Sequence, residues 1–442
     1  MNDFFGEKLF LRSAPSVQIY EKVKSLPIID YHCHLDAGKI RNNSGFSDIG
    51  ELWLAGDHYK WRAMRMCGVE EAYITGSKSF HDKFIKFAEI LPLLAGNPVY
   101  YWAHMELRQV FGICEPLNGN SAEKIYRQAN EVLKNIHVQD MLDRFGVVYV
   151  ATTDDPCDDL KDHGKYKNTV VAPTFRPDRI LACDADYVKR LGECTGRDIG
   201  SLDALWQAVE ERLLYFKAHG CRISDHGFKR FPDRYIDKKE AEKYFTKLAS
   251  LGEKEKELLG GYFLVELAKL YKRHGIVMQL HFSVERNVNS YQFKKIGVDS
   301  GFDVIANAQE PESVIGYFGQ MQDSERPETI FYTLNDASLP SLVCLTGAFQ
   351  NVKAGASWWF NDTVQGIRKN LSVIAEYSAL GTNYGMLTDS RSFSSYVRFD
   401  FYRRLLSDFL GELVVKGEYD FDAAVLTAQK ICYFNIKETL GL

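Results

Sequence analysis

No stretch of about 18 uninterrupted apolar residues occurs in this chain, so no membrane-spanning helix is encoded. The first residues, Met1-Asn2-Asp3-Phe4-Phe5-Gly6-Glu7-Lys8, lack the basic start and apolar core of a signal peptide. No long run of Lys or Arg is present and the net charge is −5, which argues against a nucleic-acid partner. A small anionic substrate remains compatible, because a local arginine cluster can oppose the global sign. None of the nine cysteines forms a CxxC pair, and an odd number of scattered thiols reads as reduced side chains. A cytoplasmic protein is expected. Internal repeats, low-complexity segments and flexible linkers are also missing.

What is present is a rhythm. Eight short apolar, β-branched runs end in polar residues: 28–35, 147–155, 170–178, 221–227, 276–283, 329–335, 352–358 and 384–391. Helical patterns fill most gaps. One runs over 201–219 from Ser201 to a stop at Gly220, another over 254–274 to Gly275, and a third over about 361–380 from Asn361-Asp362. Strands alternating with helices predict parallel βαβ units, and eight strands are the number that closes a (β/α)8 TIM barrel. The chain therefore reads as one barrel domain over 1–442, with an N-terminal helical extension over 1–27. About 110 residues separate the first two runs, too many for one crossover. Segment 36–146 is expected to be a mostly helical insertion at the barrel mouth. The charge-rich stretch 228–256 reads as a solvated helical excursion.

The first run carries His32-Cys33-His34. Alternation along a strand turns both imidazoles to one side and Cys33 to the other, a pairing suited to a divalent metal. The remaining runs end in Thr152 to Asp155, Arg176, Asp225-His226, His281, Asn335, Trp358, and Asp389 with Arg391. In a barrel these ends meet on one face, where active sites form. Helix capping is the competing explanation, and it suits Asp155, Asp158 and Asn361. It suits Asp389 poorly, because Gly385-Met386-Leu387-Thr388-Asp389 is a strand ending in a carboxylate. None of the 11 histidines lies after His281. The full binuclear set of barrel hydrolases is thus missing, and a mononuclear site of His32, His34 and Asp389 with His281 nearby fits what remains.

These stretches make the chain resemble the uronate (glucuronate/galacturonate) isomerase family of the amidohydrolase superfamily. The matching segments are DYHCHL (30–35), GDHYKWRAMR (56–65), GNPVYYWAHMELRQVFGI (96–113), TTDDPCDDL (152–160), FRPD (175–178), GCRISDH (220–226), SWWFND (357–362) and GMLTDSRSFSSY (385–396). The resemblance implies a metal-dependent-hydrolase type of barrel that interconverts D-glucuronate with D-fructuronate and D-galacturonate with D-tagaturonate. It further implies His32, His34 and Asp389 as metal ligands, and Asp389 and Tyr59 as proton carriers. His58, Arg176, Arg391, His281, Asp225 and Trp358 are the implied substrate contacts, with His226 in a supporting place. From spacing alone, His58 reads as packing within the insertion and Trp358 as core. The ligand set suits one Zn2+, while manganese, cobalt and iron also fit. Aromatic surface in the insertion fits either a homo-oligomer or a lid. Two departures from the family pattern stand out. Phe282-Ser283 follows the fifth-run histidine, and in Gly301–Asn307 the family's carboxylate reads as displaced or replaced, with Asn307 where a carboxylate is lost. The rival reading is a metal-dependent ester, lactone or amide hydrolase on the same barrel. A third is a sugar-acid binder without turnover.

Overall fold

The computed structural model describes residues 4–442. Strands β1 (Ile28–Asp30), β2 (Val147–Ala151) and β3 (Thr169–Ala172) pair in parallel in that order. A second parallel set comprises β4 (Ile223–Gly227), β5 (Val277–Phe282), β6 (Thr329–Thr333) and β7 (Val352–Ala354), again in sequence order. Phe175 joins the two sets, bridging to Asp154 on one side and to Ser224 on the other. The ring is closed by segment 384–390. Asp389 N–H donates to the His32 carbonyl at 3.1 Å and His34 N–H to the Ser390 carbonyl at 3.0 Å. On the other flank, the Asn383 side-chain amide reaches the Ala354 carbonyl at 2.8 Å. All eight sequence runs thus take their places in a (β/α)8 barrel.

The eighth segment is not a regular strand, and the reason is local. Asp389 adopts φ +46°, the left-handed region that Asp tolerates better than most residues. The ladder is broken there, and the Asp30 carboxylate takes over, accepting from Thr388 N–H at 2.9 Å and the Thr388 hydroxyl at 2.6 Å.

Large side chains fill the barrel interior: Ile29, Tyr31, Tyr149, Ile223, Ile330 and Tyr332 are all buried. Gln279 is locked among them, accepting from Tyr332 Oη at 3.2 Å and donating toward the Tyr31 carbonyl at 3.4 Å. Gly355 makes this packing feasible, since a Cβ there would lie 2.0 Å from the Tyr332 ring.

The expected helices form. Leu202–Ala218 is capped by the Ser201 hydroxyl, and Glu253–His274 ends at Gly275 with φ +65°. The third differs at its start. Val364–Tyr377 is capped by Thr363, whose hydroxyl accepts from Gly366 N–H. Asn361 and Asp362 are drawn away instead. The Asn361 amide donates to the Leu334 carbonyl at 2.9 Å, and Asp362 is buried. Asp155 and Asp158 likewise cap no helix; Asp158 accepts from Asp155 N–H in a turn.

Between β1 and β2 lie seven helices, from Ala37–Arg41 to Val138–Arg144, packed on a core that includes Trp53 and Trp102. The helix Ala14–Val23 packs on Val397–Val415 through Tyr20, whose hydroxyl accepts from Arg404 at 2.9 Å. The helix Lys238–Phe245 lies within the charge-rich 228–256 stretch. After β5 the chain makes an excursion that the sequence did not announce. Val284–Glu285 pairs antiparallel with Val304–Ile305, and the short helix Ser290–Ile296 lies between them. No helix among the described residues is long and apolar enough to cross a membrane.

Candidate active site

A cavity of about 260 Å³ opens where the strand ends meet. His32 and His34 leave β1 and meet the carboxylate from the closing segment, each Nε2 lying 3.1 Å from Asp389 Oδ1. Cys33 is turned the other way, buried among the outer helices. The Trp358 indole N–H donates to Asp389 Oδ2 at 2.8 Å. Trp358 is therefore both wall and donor, although its spacing read as core.

Behind this group lies a second one. Asp225, midway along β4, accepts from His281 Nδ1 at 2.7 Å and pairs with Arg176 Nη1 at 3.1 Å. Its Oδ2 lies 3.8 Å from His32 Nδ1, beyond hydrogen-bond reach. Arg176 also donates through Nε to Asp178 at 2.7 Å. Gly227 leaves room for that guanidinium, since a Cβ there would come within 2.8 Å of Nη2. Tyr332 stacks on His281 with centroids 4.3 Å apart and planes 5° from parallel, fixing the ring.

The third wall comes from the insertion. Helix His58–Met66 begins at the cavity, with its first N–H groups capped by Asp57. His58 Nδ1 lies 3.1 Å from Arg391 Nη1, so His58 faces the cavity as well as packing within its helix. Tyr59 stacks on His58 at 5.0 Å and lies between it, Trp102 and Arg398. It packs behind the cavity wall and does not form part of it. Under Tyr59 runs a buried charged group: Lys60 Nζ pairs with Asp57 at 2.7 Å and faces Glu106, which accepts from the Ser394 hydroxyl.

Electrostatics sort these groups by role. Burial works against an ionised Asp389, but His32 and His34 outweigh it and hold the carboxyl well below its ordinary range. Burial pushes His34 down to about 4, against the pull of Asp389. It also lowers His281, whose Asp225 partner only partly compensates. Burial likewise opposes ionisation of Asp225, yet Arg176, His32 and His281 keep it charged. His58 is lowered by burial and by Arg391. Burial raises Asp362 to about 7 despite Arg398 nearby.

Two sets of donors suit a divalent cation: His32, His34 and Asp389, and His32, Asp225 and His281. The donor chemistry fits. Two imidazoles and a carboxylate converge from different segments, and the buried His32 Nδ1 and His281 Nε2 have no hydrogen-bond partner.

The structure brings His32, His34, His58, Arg176, Asp225, His281, Trp358, Asp389 and Arg391 together in the lining of one cavity. His226 is not among them. It is fully buried, stacks on Tyr271 at 5.5 Å, and neither ring nitrogen has a partner. Sequence reading missed Arg286, Asp299, Asp303 and Trp359 in the wall. The first three belong to the excursion after β5, where charged residues in a loop carry no periodic signal. Asp303 fits the reading of 301–307 as a segment whose carboxylate is displaced from Asn307. It is buried in the wall and accepts from Asn287 N–H at 2.7 Å, so a carboxylate does occupy this segment.

A (β/α)8 barrel with an HxH pair at its first strand and an aspartate at its last defines a barrel enzyme of the metal-dependent hydrolase type. Similarity narrows this class. A model of the glucuronate isomerase family matches residues 1–440. The uronate isomerase of Caldicellulosiruptor saccharolyticus is 39% identical over 464 residues, covering 100% of both chains. The crystal structure of uronate isomerase from Thermotoga maritima superposes with a TM-score of 0.95 at 34% identity, covering 99% of each chain. Glucuronate isomerase from Caulobacter crescentus follows with a TM-score of 0.93 at 26% identity, over 99% of this chain and 96% of that one. The chain belongs to the uronate isomerase family.

Proposed function

We propose that this enzyme interconverts hexuronate aldoses and ketoses in uronate catabolism, D-glucuronate with D-fructuronate and D-galacturonate with D-tagaturonate. The observation that carries the reading is the position of Asp389. It is an ionised carboxylate at the cavity floor, oriented from both oxygens, and Arg391 follows it by two residues.

In the forward direction Asp389 removes the C2 proton of the open-chain aldose, and O1 gains a proton, giving a cis-enediol. Asp389 then returns its proton to C1 while O2 loses one, so no atom or electron is gained overall. Tyr59 is the group assigned to move the proton between O1 and O2, for which its hydroxyl has to enter the cavity from behind the wall, while His58 lines the anion pocket. Arg391 and Arg176 hold the distal carboxylate, a task suited to the planar guanidinium. His281, Asp225 and Trp358 position hydroxyls. His32, His34 and Asp389 would hold one divalent ion, which we take to be Zn2+ from its two nitrogens and one oxygen. When bound, it supplies positive charge that stabilises developing negative charge on the substrate oxygens.

The chain is read as one barrel domain with an N-terminal helical extension over 1–27 and a mostly helical insertion over 36–146 at the barrel mouth. Val288, Tyr291, Phe293 and Val298 are exposed on the excursion after β5, which supports a homo-oligomer, and light scattering tests it. Nine cysteines without a disulfide support a reducing, cytoplasmic setting.

The deciding experiment is proton NMR of the metal-loaded protein with each aldose separately in D2O. Ketose with deuterium at C1 is expected. Ketose without deuterium keeps the isomerase but shields the proton from solvent. No ketose from either sugar overturns the reading.

A further inference from the structure

Both terminal nitrogens of Arg391 are already engaged. Nη1 meets His58 Nδ1 at 3.1 Å, and Nη2 pairs with Asp299 Oδ2 at 3.0 Å. A substrate carboxylate that binds this guanidinium through its two terminal nitrogens needs the edge that Asp299 shares. We propose that Asp299 is a resident stand-in for the substrate carboxylate, capping Arg391 in the free enzyme and displaced from it when a uronate binds. The inference rests on the reading of Arg391 as carboxylate clamp.

The construction of the turn separates Asp299 from an incidental surface charge. Asp299 lines the cavity and has φ +56°, between Gly297 at +98° and Gly301 at +84°. Gly301 lies directly against the start of the His58 helix, where a Cβ would sit 3.1 Å from the His58 carbonyl. Ser300 is buried and its carbonyl accepts from Arg65. Arg65 is in turn clamped by Glu71 at 2.6 and 2.8 Å and lies 4.2 Å over Phe302. The backbone is thus pinned while the Asp299 side chain stays 53% exposed. Its carboxylate can swing into water by rotating about its own bonds, with no movement of the loop.

Arg176 offers the contrast. Its carboxylate partner Asp225 is 1% exposed and tied to His281, so that pair is permanent. The two arginines therefore differ in kind: one is fixed in a buried network, the other held in reserve by a releasable partner. An exposed ion pair is worth little, which is what lets an incoming anion replace it. A neutral aldose has nothing to exchange for Asp299, so the contact adds to selection for a charged substrate.

The test is Asp299→Asn, with Asp299→Ala as a second variant and thermal unfolding as a check on folding. KM for D-glucuronate is expected to fall about two- to fivefold, because the site no longer competes with itself. The same substitution in an Arg391→Gln background is expected to leave KM where Arg391→Gln alone puts it. D-gluconate, titrated calorimetrically, provides a carboxylate probe that needs no turnover, and its Kd is expected to fall by the same factor. Unchanged or raised KM in both variants overturns the proposal. If the wild type turns over neither uronate, the isomerase reading has failed and the gluconate Kd alone decides: tighter binding upholds the stand-in, while unchanged, weaker or undetectable binding overturns it.

Discussion

Asp389 receives imidazoles on one oxygen and an indole N–H on the other, and each contact favours its charged form. Trp358→Phe keeps the ring in the wall but removes the 2.8 Å bond. A hydrogen bond to a charged group lowers a carboxyl pKa, so its loss moves the acidic limb of the kcat/KM profile toward higher pH. It also lowers kcat by about tenfold, in line with the cost of one charge-assisted bond. A pH–rate profile of the variant with D-glucuronate measures both. The convergence of His32, His34 and Asp389, the proposed metal ligands, was legible because they sit at the ends of apolar runs, where a barrel gathers its chemistry. Arg391 was legible from its place two residues beyond Asp389. The role of Trp358 was not, since one residue type serves core and site alike. Arg286 and Asp299 were invisible because nothing in the excursion sequence says which way it folds back.

Among the elements, the helices of the insertion control the geometry of the third wall. Asp57 caps the His58 helix and is held down to about 2, burial opposing its charge but Lys60 and Arg398 prevailing. Lys60→Met strands Asp57 and Glu106 as buried carboxylates. The variant is expected to lose about 3–5 kcal/mol, read as a fall of several degrees in the unfolding midpoint together with a higher KM. Helix Pro98–Phe111 carries an acid-sensitive point outside the cavity lining. His104 Nδ1–H donates to the Tyr100 carbonyl at 2.8 Å, and its Nε2 accepts from Leu117 N–H at 3.0 Å. Burial pushes it down from 6.5 to about 4. Between those values the unfolded chain holds a proton that the folded chain lacks, so stability rises with pH across that window. His104→Gln is expected to flatten this part of the melting-temperature curve between pH 6.5 and 4. The helices after β3 and β4 were readable from their Ser201 and Gly275 boundaries. The start at Asn361-Asp362 was misread, because the fold uses both residues for tertiary contacts and leaves capping to Thr363.

For the whole molecule, eight runs in one polypeptide were enough to imply the barrel, since a parallel ring with helical crossovers is what such a rhythm can build. The order of strands around the ring follows the order in the chain, so no rearrangement had to be foreseen. What composition and periodicity did not reveal is the quality of each joint. Seven strands are stitched by backbone ladders and bridges, while the eighth is fastened largely by the Asp30 carboxylate and two main-chain bonds.

That unequal stitching means that wear and melting are separate events in this protein. The ring's least-laddered seam carries Asp389, so warming is expected to unfasten the proposed proton carrier while the rest of the barrel still stands. Amide exchange at Asp389 and His34 is expected to outpace that at Leu280 and Phe331, which lie in the unbroken ladder between β5 and β6. Activity should then fade, reversibly, at temperatures below the calorimetric transition. Coincident loss of activity and structure, with uniform exchange around the ring, would show that the seam is as firm as the rest.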